Sequence, residues 1–120
     1  AAYAPRTVVS SDARRCRATV EPYAASLGGD LVVEPALSEE GCADDPRATA
    51  AAVRHLLDQG GPAVWCTHRP VLPVVLSALA KALGLDRHDA ALDPRLKPGA
   101  AIVLHRDDSG AVVRMDRLDA

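Results

Sequence analysis

Three short apolar runs alternate along the chain with stretches whose apolar residues recur at helical spacing: TVVS at Thr7 to Ser10, DLVVE at Asp30 to Glu34 and PAVWC at Pro62 to Cys66. Strands that alternate with helices favour a mainly parallel sheet, because a parallel neighbour is reached only by a crossover and the crossover helices cover both faces. The first helix is predicted over Ala13 to Leu27, with Cys16, Val20, Tyr23, Ala24 and Leu27 at helical spacing, a bend at Pro22 and a stop at Gly28 and Gly29. A second begins at Pro46, is capped by Asp44 or Asp45, turns Ala50, Val53, Leu56 and Leu57 inward and stops at Gly60 and Gly61. A third, Pro70 to Leu83, is apolar on most sides and is predicted to be largely buried. PALSEEGCADD reads as a long irregular loop and Gly84 to Pro98 as a connection. AAIVLHRDDSGAVVRMDRL reads as an antiparallel hairpin at the sheet edge, with its turn at Asp107 to Gly110. The expected architecture is one α/β domain over residues 1 to 120, a three-layer sandwich with helices on both faces of the sheet.

Composition narrows the function classes. Of the 120 residues, 48% are hydrophobic, enough for a single core. The net charge of -2 comes without a clustered basic excess, so nucleic acid and membrane surfaces are not expected partners. No apolar run approaches the roughly 20 residues that span a bilayer, and the N-terminus lacks the basic and apolar parts of a signal peptide. Cys16, Cys42 and Cys66 are odd in number and widely spaced, which argues against a disulfide framework and for a reducing, cytoplasmic location.

In open parallel sheets, ligands bind beyond the carboxyl ends of the strands, and Ser10, Ser11 and His68 fall there. Arg15, one turn into the first helix, can turn its planar guanidinium back over the strand end towards an oxyanion. His68 stands beside the start of the third helix, where unpaired N–H groups favour an anion. Glu39, in the loop after the second strand, is the candidate proton donor to a leaving oxygen. Each residue alone also fits an ordinary role: Arg15 can pair with Asp12, Glu39 can be a solvated loop charge, and a lone histidine can simply end a strand.

Taken together, these residues resemble the histidine phosphatases, the phosphoglycerate mutase-like superfamily. The stretch from Ser10 to Thr19 (SSDARRCRAT) resembles that family's Ser-Ser-Pro-Leu-x-Arg-Ala-x-Gln-Thr pattern, Leu37-Ser38-Glu39 its Leu-x-Glu, Thr67-His68 its second histidine motif and Lys97-Pro98-Gly99-Ala100 the turn before its last strands. The resemblance implies that Arg15 and His68 hold a phosphoryl group with help from Ser11, and that Glu39, with Glu40 as the neighbouring alternative, protonates the leaving group. Asp12, Cys16 and Ala18 depart from the pattern, and Arg69 replaces a common glycine, where it supplies a further phosphate contact or narrows the pocket.

The family's nucleophilic histidine lies in an Arg-His-Gly motif on a first strand that precedes the Ser-Ser motif, and no Arg-His-Gly occurs in this chain. His55, His88 and His105 have other neighbours and read as structural or solvated. The chain is therefore expected to be the C-terminal portion of such a domain, inactive alone, with an upstream segment of the same protein as its partner. Its alanine- and arginine-rich style and CTHRPVLP look like actinobacterial proteins that join a MutT-type Nudix hydrolase to a histidine phosphatase and clear oxidised guanine nucleotides. That likeness implies a phosphorylated small molecule or nucleotide as ligand, no cofactor or metal for this domain, and Mg²⁺ only for an upstream Nudix domain. A homo-oligomer is left open. A cysteine phosphatase would need arginine six residues after its cysteine, where Pro22, Ala48 and Leu72 stand. A zinc site at Cys66 and His68 lacks a paired second half. The alternative of a different class is a non-catalytic phosphate- or nucleotide-binding and interaction module.

Overall fold

A computed structural model describes residues 7–11, 13–27, 30–59, 62–97 and 100–118, apart from the side chains of residues 15, 19, 23, 24, 26, 27 and 30. The expectations for Asp12, for Pro98-Gly99 and for the glycine pairs at 28–29 and 60–61 lie outside these residues, as do the side-chain roles of Arg15, Tyr23, Ala24 and Leu27.

The chain forms β1 (Thr7–Ser10), α1 (Arg14–Leu27), β2 (Asp30–Val33), α2 (Glu39–Asp44), α3 (Pro46–Gln59), β3 (Ala63–Cys66), α4 (Leu72–Leu83), β4 (Ala101–Arg106) and β5 (Val112–Leu118). Three strands pair in parallel in the order β2-β1-β3, with Ser10 opposite both Val33 and Cys66. Alternation along the central strand sends Val8 and Val9 to opposite faces, and both are essentially inaccessible to water. On one face Val8 meets Val20 of α1, with Leu31 and Cys66 beside them. On the other, Val9 belongs to the larger cluster with Val53 of α3 and Val75, Leu76 and Leu79 of α4. Helices thus cover both faces, as the alternation of elements requires.

Local chemistry accounts for the helix starts. Asp45 is the residue that caps α3, its carboxylate accepting from the N–H groups of Arg47 and Ala48 at 3.1 and 3.2 Å. The predicted third helix begins as a 3-10 turn at Arg69–Val71 and continues as α4, which ends at Gly84 with φ of 69°, a left-handed conformation glycine adopts without steric cost. α1 runs continuously through Pro22.

Two expectations are corrected. PALSEEGCADD is not irregular: Pro35–Leu37 forms a 3-10 turn and Glu39–Asp44 forms α2. Burial of Leu37 and Cys42 rewards that order, and the Ser38 hydroxyl caps α2 by accepting from Gly41 N–H at 2.9 Å. The hairpin, with its turn around Asp107–Gly110 as expected, does not extend the parallel sheet; β4 and β5 pair with each other as a separate two-stranded sheet. It is attached through side chains instead. Ile102, Leu104 and Met115 pack against the larger core cluster, and the Arg117 guanidinium donates to the carbonyls of Ala91, Asp93 and Arg95 in the preceding connection.

Candidate functional site

The carboxyl ends of the three parallel strands bring Ser11, Glu39 and His68 together from segments far apart in the chain. β1 leads into Ser11, whose N–H donates to the Cys66 carbonyl of β3 at 3.3 Å. β3 leads into Thr67 and His68, and the His68 carbonyl accepts from the N–H groups of Val71 and Leu72, tying the histidine to the start of α4. Its side chain is only 4% exposed.

The His68 ring is held on several sides. Ser11 Oγ lies 2.9 Å from Nε2, and the Glu39 carboxylate lies 3.7 Å from Nδ1, an ion-pair separation beyond hydrogen-bond reach. The Cys16 sulfur lies 3.5 Å from Nε2 and 3.9 Å from Nδ1, so it rests against the ring while also facing the Thr67 carbonyl at 3.7 Å. Next to it, the Cys66 thiol is pushed up to about 12, first by burial and then by its hydrogen bond and electrostatic interaction with Cys16.

Glu39 owes its place to the segment that composition marked as irregular. As the first residue of α2 it sits where the helix dipole favours a carboxylate. Two hydroxyls hold the turn before it: Thr67 Oγ1 donates to the Leu37 carbonyl at 2.6 Å, and Thr49 Oγ1 donates to the Ala36 carbonyl at 2.7 Å. The Glu39 side chain is 46% exposed, so one carboxylate reaches both the buried histidine and the solvent side.

The residues expected from sequence therefore divide. Ser11, Glu39 and His68 come together; Ser11, expected as a phosphate contact, is fully buried with its hydroxyl on the His68 ring. Arg69 is exposed in the turn after His68, and Glu40 is exposed beside Glu39 in α2. Arg15 falls in the first turn of α1, but its side chain lies outside the described part of the structure. Sequence reasoning missed Cys16, Thr49 and Thr67 as supports. The capping serine before two glutamates was a readable signal for α2, whereas no local pattern marks a cysteine that will rest on a histidine 52 residues away.

No protein-family model matches the chain. It is similar to an 8-oxo-(d)GTP phosphatase of Mycolicibacterium smegmatis. The two are 33% identical over 72 residues, which make up 60% of this chain and 22% of that protein. The chain thus matches about a fifth of the length of that curated relative.

Among the described residues, no group of three or more His, Cys, Asp or Glu side chains is placed to hold a metal ion, and no helix is long and apolar enough to cross a membrane. A shallow groove between α3 and α4, bordered by Ala50, Arg54, Val74, Ser77 and Lys81, shares none of the residues gathered around His68.

Proposed function

We propose that this chain is the phosphate-handling portion of a histidine phosphatase domain, with a phosphoglycerate mutase-like fold, in a longer protein that hydrolyses oxidised guanine nucleotides. The observation that carries this reading is the approach of the Glu39 carboxylate to within 3.7 Å of a buried histidine beyond the ends of parallel strands. Such a pair can hold a phosphoryl oxygen and protonate the oxygen that leaves. The similarity to a protein named 8-oxo-(d)GTP phosphatase supports nucleotides as the substrate class.

In this reading His68 and Arg15 bind the phosphoryl group, Arg69 adds charge at the rim, and Glu39 is the general acid, with Glu40 one residue away. The attacking histidine comes from an upstream segment of the same protein. His55, His88 and His105 are engaged elsewhere, with Gln59, Arg87 and Asp116 respectively. Cleavage of the triphosphate itself belongs to a separate Mg²⁺-dependent Nudix domain.

The test is release of inorganic phosphate by the intact protein from 8-oxo-dGTP, 8-oxo-dGMP and p-nitrophenyl phosphate. Replacing Glu39 or His68 by alanine should lower turnover of 8-oxo-dGMP by about 100-fold or more, the usual scale for acid–base catalysis, with a smaller loss on p-nitrophenyl phosphate for the Glu39 change. Turnover untouched by both changes would defeat the proposal, and tight nucleotide binding without turnover would favour the non-catalytic module.

A further inference from the structure

We infer that Ser11 is a positioning residue that sets the tautomer of His68, keeping the ring proton on Nδ1, the nitrogen facing Glu39. Two contacts at different nitrogens are satisfied together by this one arrangement of a neutral ring. An ionised carboxylate only accepts, so its approach to Nδ1 at 3.7 Å is attractive only when that nitrogen carries a proton. A neutral imidazole has a single N–H, which leaves Nε2 with its lone pair. The Ser11 hydroxyl, 2.9 Å away, can donate its proton to that lone pair while its oxygen accepts from the Ala13 N–H at 3.3 Å. In the opposite tautomer the Nδ1 lone pair would face the carboxylate and be repelled.

The packing keeps the ring from escaping this choice by turning over. A flipped ring would present carbon atoms to Ser11 and Glu39, and the Cys16 sulfur, within 3.9 Å of both nitrogens, restricts the movement a flip needs. Ser11 itself is not a nucleophile, despite a hydroxyl, an imidazole and a carboxylate in sequence. Its exposure is 0%, so no phosphorus atom can approach Oγ without displacing the turn between β1 and α1. The hydroxyl acts through His68, by directing an N–H donor towards the side where Glu39 stands. Its consequence for turnover rests on the phosphohydrolase reading; the tautomer does not.

The experiment is a long-range proton–nitrogen NMR correlation on the intact protein labelled with ¹⁵N-histidine, recorded at about pH 8, where an ordinary imidazole is neutral. His68→Asn identifies its signals among those of the other histidines. The wild type should show a protonated-type Nδ1 and an unprotonated-type Nε2. Ser11→Ala should lose this separation, shifting both resonances towards each other or exchanging them, whereas Ser11→Thr should keep it. A wild-type ring with its proton on Nε2 would overturn the inference, as would an unchanged pattern in Ser11→Ala. The wild-type spectrum decides even if the alanine variant fails to fold. Phosphate release measured on the same samples separates the two ideas: the expected tautomer without turnover would sink the proposed function and leave this inference standing.

Discussion

Gly41→Ala sets two effects of opposite sign against each other. Gly41 lies inside α2, and alanine in a helix is ordinarily favoured over glycine by about 1 kcal/mol. Read from local propensity, the change stabilises. The structure says otherwise, because a Cβ at this position would run into the Pro35 carbonyl oxygen and lie 3.0 Å from Ser38 Oγ. Neither neighbour yields easily. The Pro35 carbonyl already accepts from the Ser38 hydroxyl at 2.7 Å and from the Ser38 N–H at 3.0 Å, and the same hydroxyl caps the helix. Forcing a methyl group into such a contact typically costs about 1–3 kcal/mol, and loss of the cap would add roughly 1 kcal/mol. The expected net effect is a destabilisation of about 1–3 kcal/mol, or a fall in Tm of roughly 4 °C or more. Because Ser38 and Gly41 flank Glu39, turnover should fall as well. Urea denaturation and phosphate release on the same preparation check both outcomes. A variant as stable as the wild type or more so would mean that the close packing of α2 on the Pro35 turn is wrong.

Glu39→Gln should damage hydrolysis of an alkyl phosphate more than that of p-nitrophenyl phosphate, whose leaving group needs little protonation; steady-state rates on both substrates check this, and equal losses would argue against a general acid at Glu39. Thr67→Val removes the donor that holds the Leu37 carbonyl at 2.6 Å and should cost about 1–3 kcal/mol in urea denaturation, with Glu39-dependent turnover falling in parallel. Cys66, held near 12, should be alkylated slowly at pH 8, with only about one molecule in ten thousand as thiolate. Cys16→Ala should leave its titration still raised, because burial is the larger cause, and the pH dependence of iodoacetamide labelling measures this. The sign of the linkage follows: the fold keeps the Cys66 proton longer than the unfolded chain does, so this contribution to stability is complete below an ordinary thiol pKa and is lost as pH rises towards 12.

The order of strands and helices was legible in the sequence because it depends on near neighbours. TVVS and DLVV each carry a pair of adjacent valines, Asp45 offers a cap one residue before Pro46, and the Asp107–Gly110 turn bonds largely to itself. His68 at a strand end was legible for the same reason. The segment from Pro35 to Asp45 was not, since its order depends on burial of Leu37 and Cys42 and on hydroxyls from Thr49 and Thr67, which lie 13 and 30 residues from the carbonyls they hold. Nor could the hairpin's detachment from the parallel sheet be read, because strand signals carry no record of which sheet they join. The tertiary structure alone decided that β1 is central, and from that the site follows. Burial of Val8 and Val9 on opposite faces fixes the register that sets Ser10 opposite Cys66, and this register delivers the Ser11 hydroxyl to a histidine 57 residues away. Side-chain types and local spacing travel with the chain, but a hydrogen bond between distant residues exists only once the buried faces have chosen their alignment.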